Sequence, residues 1–128
     1  MSAFEILAAA GLVAAIAVLA YILSGSPKVG SAALAAALSG GFAAYSAVTI
    51  ASEGVLQVWT NHTQNLWGVQ VWWDLLFAVG IAAFLIAPRA RAAGMNLLPW
   101  IAFVAATASI GLLAMVARLF WLESRTEG

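Results

Sequence analysis

The sequence contains no cysteine, which excludes disulfides, thiolate nucleophiles, iron–sulfur ligation and every cysteine-based zinc pattern. Its one histidine, His62, rules out a multi-histidine metal centre. Charge is equally scarce: five basic and five acidic residues make up 8% of the chain and cancel to a net charge of zero. There is therefore no basic face for nucleic acid and no polybasic segment for anionic lipid. The stretch "SGSPKVGS" at 24–31 lacks the phosphate-loop pattern, and no serine sits in a nucleophile-elbow context. No catalytic constellation and no metal site are expected, so the chain reads as non-enzymatic.

What the sequence does have is apolar surface. Of 128 residues 65% are hydrophobic, and the mean hydropathy is +1.03. These values exclude a water-soluble globule and indicate an integral membrane protein. A membrane-crossing helix needs about 20 apolar residues. Four runs qualify, over about 4–23, 31–52, 68–87 and 97–122, separated by glycine, proline and polar breaks. Pro88 and the basic "RARAAGMN" end the third, and Pro99 is tolerated in the first turn of the fourth. The expected fold is all-α: one transmembrane domain over 1–128, an antiparallel up-down four-helix bundle with a short aromatic interfacial segment between the second and third helices. The first run has Glu5 and no Lys or Arg ahead of it, so it reads as a retained helix rather than a cleaved signal peptide.

The short connections set the expected orientation. Lys28 lies in the first and Arg89 and Arg91 in the third, while the second has no Lys or Arg. The positive-inside rule puts the first and third connections in the cytoplasm. Both termini and the 53–67 segment then face outward, in a multi-pass protein of a bacterial inner membrane; Arg125 argues against this. Small residues at helical spacing, Ala36, Gly40, Ala44 and Ala47 or Ala51 in the second run, form a stripe that lets backbones approach closely. That helix is expected in the most crowded position. Ala14 and Ala17 in the first run and Thr107, Gly111 and Ala114 in the fourth extend the same logic.

Asp74 lies several residues inside the third run and Arg118 the same distance inside the end of the fourth. In an antiparallel pair they share a depth, and charges at membrane depth face inward and pair. Glu53, Thr49 and Ser46 end the second helix, Gln70 precedes Asp74 by one turn, and Glu5 begins the first helix on the same side. An intramembrane polar cluster is expected, centred on Asp74, Arg118 and Glu53 with Gln70 and Thr49. It is either an ion pair that fixes helix register or a site for a proton, cation or polar head group. Two carboxylates facing one guanidinium would leave a proton-accepting surplus.

The segment "EGVLQVWTNHTQNLWGVQVWW" at 53–73 is the most unusual. Trp59, Trp67, Trp72 and Trp73 read as an aromatic belt at headgroup level. Clustered aromatics also anchor protein interfaces and flat conjugated ligands, so a contact with a partner, a pigment, a quinone or lipid is the sharper reading. His62 is either a solvated loop residue or an axial ligand to a haem or chlorin metal.

The motifs "WWDLLFAVGIAAF", "PRARAAGMNLLPW" and "GLLAMVARLFWLE" resemble those of a domain-of-unknown-function family of small bacterial membrane proteins. The likeness covers residues 73–123 and carries over Asp74 and Arg118 as matching positions, without a function for either. Two functions of different class remain. The favoured one is an accessory or assembly subunit of a larger membrane complex, such as an energy-transducing one. The other is a homo-oligomeric transporter or channel subunit using Asp74, Glu53 and Arg118 for a proton or cation.

Overall fold

The computed structural model describes residues 1–25 and 30–127, and the chain divides into two compact units, Met1–Gly30 and Ser31–Gly128. Among the described residues all regular structure is helical, in six helices, three of them long and apolar enough to cross a membrane: α1 (Ala3–Leu23), α2 (Ala32–Glu53) and α4 (Leu66–Ala92). The others are α3 (Gln57–Asn61), α5 (Leu97–Thr107) and α6 (Ser109–Glu127).

The first unit is α1. Its 21 residues span about 31 Å, the thickness of the hydrocarbon core. A capping box starts it: the Ser2 hydroxyl accepts from the Glu5 amide at 3.1 Å, and the Glu5 carboxylate accepts from the Ser2 amide at 2.7 Å. Glu5 is thus engaged by its own helix end. Lys28, on which the first-connection orientation rests, lies outside the described residues.

In the second unit α6 is the element that α2, α4 and α5 all pack against. The central position falls to α6, not to the second apolar run. Its buried stripe is Gly111, Met115 and Leu119, at four-residue spacing. Met115 and Leu119 join Ala90, Met95 and Val104 in the core. Helix α2 meets α6 through Ala35 and Ser39, and the Ser39 hydroxyl donates to the Ile110 carbonyl at 2.8 Å. The expected stripe is therefore one residue out. Gly40 and Gly41 have open space where a side chain would project, and the packing face lies about 100° around the helix from them.

Helix α4 runs through Pro88 to Ala92 rather than stopping at 87. Proline removes one backbone hydrogen bond without forcing a stop where packing holds the helix on both sides. The end comes at Gly94, with φ 85°. There the Gly94 amide donates to the Arg91 carbonyl at 3.0 Å and the Met95 amide to Ala90 at 2.9 Å. This is a Schellman closure, and it turns Met95 into the core beside Ala90.

The largest departure from expectation is in the fourth run. Instead of one helix over 97–122, the chain breaks at Ala108, whose φ of 54° and ψ of −111° are not helical. The Thr107 hydroxyl donates to the Phe103 carbonyl at 2.8 Å and accepts from the Gly111 amide at 2.8 Å, across the break. A methyl built on Gly111 would sit 2.7 Å from the Phe103 carbonyl oxygen. In a straight helix, residues eight apart are about 12 Å apart, so the chain has folded back on itself. The 11 residues of α5 climb only about 16 Å. Val104–Ala108 lie along one cleft with Leu76, Val79 and Gly80 of α4, which places the reversal near the middle of α4. Helix α6 then returns, and the Arg89–Glu123 salt bridge sets its end beside the end of α4.

Candidate functional site

The expected cluster of Asp74, Arg118 and Glu53 is divided among three places. Asp74 is exposed on α4, one turn beyond the exposed Gln70, and among the described residues neither side chain has a hydrogen-bond or ionic partner. Because α6 starts near the middle of α4 and runs toward its C-terminal end, Arg118 lies roughly 15 Å from Asp74 along the bundle axis. The two are not an ion pair. Arg118 stands 4.6 Å over the ring of Trp121, which Arg125 also approaches at 4.7 Å. The salt bridge present among the described residues joins Arg89 of α4 to Glu123 of α6, with Nε to Oε2 at 3.0 Å and Nη2 to Oε1 as the second contact of a fork. Sequence position alone pairs neither residue. The four-residue offset of Glu123 from Leu119 was the available signal, but it has meaning only once α6 is known to return toward Arg89.

Three of the expected residues, Glu53, Thr49 and His62, fall along one surface. They line a groove of about 440 Å³ between the C-terminal half of α2, the short helix α3, and the residues around the α5–α6 reversal. Its two ends differ in character. Glu53 ends α2 and Gln57, Asn61 and His62 follow it in and after α3, whereas Phe42 lies one turn from Ser39, which bonds Ile110, so these two sets of lining residues fall toward opposite ends. Phe42 and Glu53 lie eleven residues apart on α2, so the groove follows the helix for about 16 Å.

The hydrogen-bond state of the lining follows from local backbone needs. A five-residue helix leaves most of its carbonyls without helical partners, and α3 recruits side chains to fill them. His62 Nδ1 donates to the Val58 carbonyl. Thr63 donates to Trp59 at 2.8 Å, and Thr60 to Leu56 at 3.2 Å. The hydrophilic "TNHTQN" run therefore closes α3 instead of forming a free polar turn. On the opposite wall, the Thr49 hydroxyl donates to Tyr45 at 2.9 Å, and the Thr107 hydroxyl is already spent on Phe103. The Thr49 and Thr107 hydroxyl protons and the His62 Nδ1 proton are thus already bound to backbone carbonyls.

The aromatic segment also separates into parts. Trp59 meets Trp72 edge-on, with centroids 6.2 Å apart, and His62 lies 5.6 Å from Trp72. This contact ties α3 to α4 next to the groove. Trp73 leans on Phe77 at 5.7 Å and, like Trp67, is exposed. Asn65 starts α4 by accepting from the Gly68 amide at 2.7 Å. Gly68 is obligatory there, because a methyl on it would lie 2.8 Å from the Asn61 carbonyl oxygen. Among the described residues no group of three or more metal-ligating side chains occurs. No family model, curated protein or solved structure matches the chain.

Proposed function

We propose that this chain is a non-enzymatic accessory or assembly subunit of a larger complex in a bacterial inner membrane, holding partner helices through the exposed face of α4 and lipid through the aromatic rim. The observation that carries this reading is the exposed Asp74. If Arg89 marks one boundary of the hydrocarbon, Asp74 lies about 22 Å above it and still inside a core of about 30 Å. An unpaired charge at membrane depth costs up to about 3 kcal/mol, less toward an interface. The same helix exposes Phe77, Ile81, Phe84 and Leu85. A partner that covers this surface and brings a cation or hydrogen-bond donor to Asp74 removes that cost.

The same reading includes an orientation for the second unit. Arg89, Arg91, Arg118 and Arg125 gather toward one end, and Glu53 and Asp74 lie toward the other. By the positive-inside rule the arginine end is cytoplasmic. α2 and α4 then cross the membrane, α5 and α6 form a re-entrant hairpin, and the end of α6 is cytoplasmic rather than outside. Arg125 now agrees with the rule. The likeness of residues 73–123 to small bacterial membrane proteins is compatible with this reading and adds no function to it.

The test is mild-detergent extraction from native membranes, followed by size separation, absorption spectroscopy and mass spectrometry. Wild type is expected in a larger assembly, and Asp74→Leu in a smaller species at normal yield. If both variants migrate alone and at equal size, the reading fails. In that case the transporter alternative, a homo-oligomer carrying a proton or cation past Asp74, predicts that Asp74→Asn abolishes flux and leaves yield intact.

A further inference from the structure

We propose that the groove between α2, α3 and the α5–α6 reversal binds an aminophospholipid, with its primary ammonium at Glu53 and His62 and an acyl chain along the Phe42–Ile110 floor. Lipid capture here needs the membrane setting proposed above and does not need a partner subunit.

Shape, charge and hydrogen-bond polarity each restrict the occupant. The groove is polar at the Glu53 end and apolar at the Phe42 end, over a length of about 16 Å. A head group followed by an alkyl chain matches that gradient. Among the described residues Glu53 is the one formally charged group in the lining, and no Lys or Arg accompanies it. An anionic head has nothing there to pair with, whereas a cation does.

Hydrogen-bond polarity narrows the choice further. The Glu53 carboxylate only accepts. Thr49 has given its proton to Tyr45, and His62 has committed Nδ1 to Val58. An occupant that pairs with Glu53, Thr49 and His62 must therefore bring donors to them. A primary ammonium brings three together with the positive charge. Choline carries the same charge without a single N–H, and a quinone head can only accept. A quinol donates but leaves the charge of Glu53 unmatched. The amides of Gln57 and Asn61, at the same end of the groove, supply N–H donors for the phosphodiester next to the ammonium. Trp59 and Trp72, packed edge-on next to His62, place this end at the headgroup level favoured by tryptophan.

The experiment uses the full chain in nanodiscs containing equal parts of phosphatidylethanolamine, its N-methyl and N,N-dimethyl derivatives, phosphatidylcholine and phosphatidylglycerol, all with the same acyl chains. Native mass spectrometry after mild-detergent release reads which lipid remains bound. Retention is expected to fall with each added methyl. Phosphatidylcholine should lie about tenfold or more below phosphatidylethanolamine, the effect of losing a charge-assisted hydrogen bond. Glu53→Gln should remove most of that preference while the elution volume and helical circular dichroism stay unchanged. Should the variant misfold, the methylation series on wild type still decides. Equal retention of phosphatidylcholine, or preference for phosphatidylglycerol, overturns the proposal. Displacement of the bound lipid by an equimolar quinol, or by free phosphoethanolamine, also overturns it. None of these results bears on whether Asp74 holds a partner, because the isolated chain is what is measured.

Discussion

Replacing Gly111 with alanine tests the reversal at Ala108, on which the architecture of the second unit depends. The added methyl would lie 2.7 Å from both the Phe103 carbonyl oxygen and the Thr107 hydroxyl oxygen, and 2.8 Å from the Phe103 carbonyl carbon. Carbon meets carbonyl oxygen comfortably at about 3.3 Å or more, so the overlap is about 0.6 Å. No rotamer relieves it. Phe103 presents backbone, and the Thr107 hydroxyl is held between the Phe103 carbonyl and the Gly111 amide. The hairpin must open, at about 1–3 kcal/mol for overpacking, and weakening the Gly111 to Thr107 hydrogen bond adds about 1 kcal/mol. A loss of roughly 2–4 kcal/mol is large against a typical total of about 5–15 kcal/mol. Unfolding in mixed micelles, followed by tryptophan fluorescence and circular dichroism, measures it. Gly80→Ala is the control, since a methyl there meets nothing within 4 Å. Ala108→Gly should act in the opposite sense and stabilise by about 1 kcal/mol, because its positive φ strains any residue with a side chain. If 97–122 were one continuous helix, Gly111→Ala would instead stabilise by about 1 kcal/mol through helix propensity. A Gly111→Ala chain at least as stable as wild type therefore refutes the hairpin.

Two further outcomes follow from the same arrangement. Because the chain has no cysteine, single-cysteine variants report sidedness cleanly: Ala92→Cys and Thr126→Cys should be labelled from one face of the membrane and Asn61→Cys from the other. Labelling of Thr126→Cys together with Asn61→Cys would mean that the fourth run crosses. The Arg89–Glu123 pair has side chains 48% and 23% exposed, so a double-mutant cycle with Arg89→Met and Glu123→Gln should give a coupling of only about 0.5–1 kcal/mol, shrinking as salt rises. A coupling that is absent at low salt would remove the pair as a determinant of the α4–α6 register.

Local composition by itself determined the solvent class and the positions of the long helices. The runs at 4–23 and 31–52 correspond to α1 and α2 with ends that agree to within one residue, and the run at 68–87 to the interior of α4. Hydrophobic transfer is a property of the segment, read without knowing what surrounds it. The absence of cysteine and the single histidine likewise bounded the chemistry before any fold was known. Tertiary structure decided the rest, because it turns on which faces and which ends meet. Alanine and glycine appear on several sides of α2, so composition could not distinguish the Ala36–Gly40 stripe from the Ala35–Ser39 face that meets α6. The reversal at Ala108 occurs within a run that is apolar on both sides, where hydropathy is blind. It depends on Thr107, Phe103 and Gly111 fitting together across the bend. Once α6 returns toward Arg89, Arg118 moves away from Asp74, Glu123 gains its partner, and the reversal brings Thr107 and Ile110 to the groove that Glu53 and His62 line. Hydropathy sums over a segment whatever its neighbours are, whereas a site depends on relative position, and one glycine-permitted turn changes the position of everything after it.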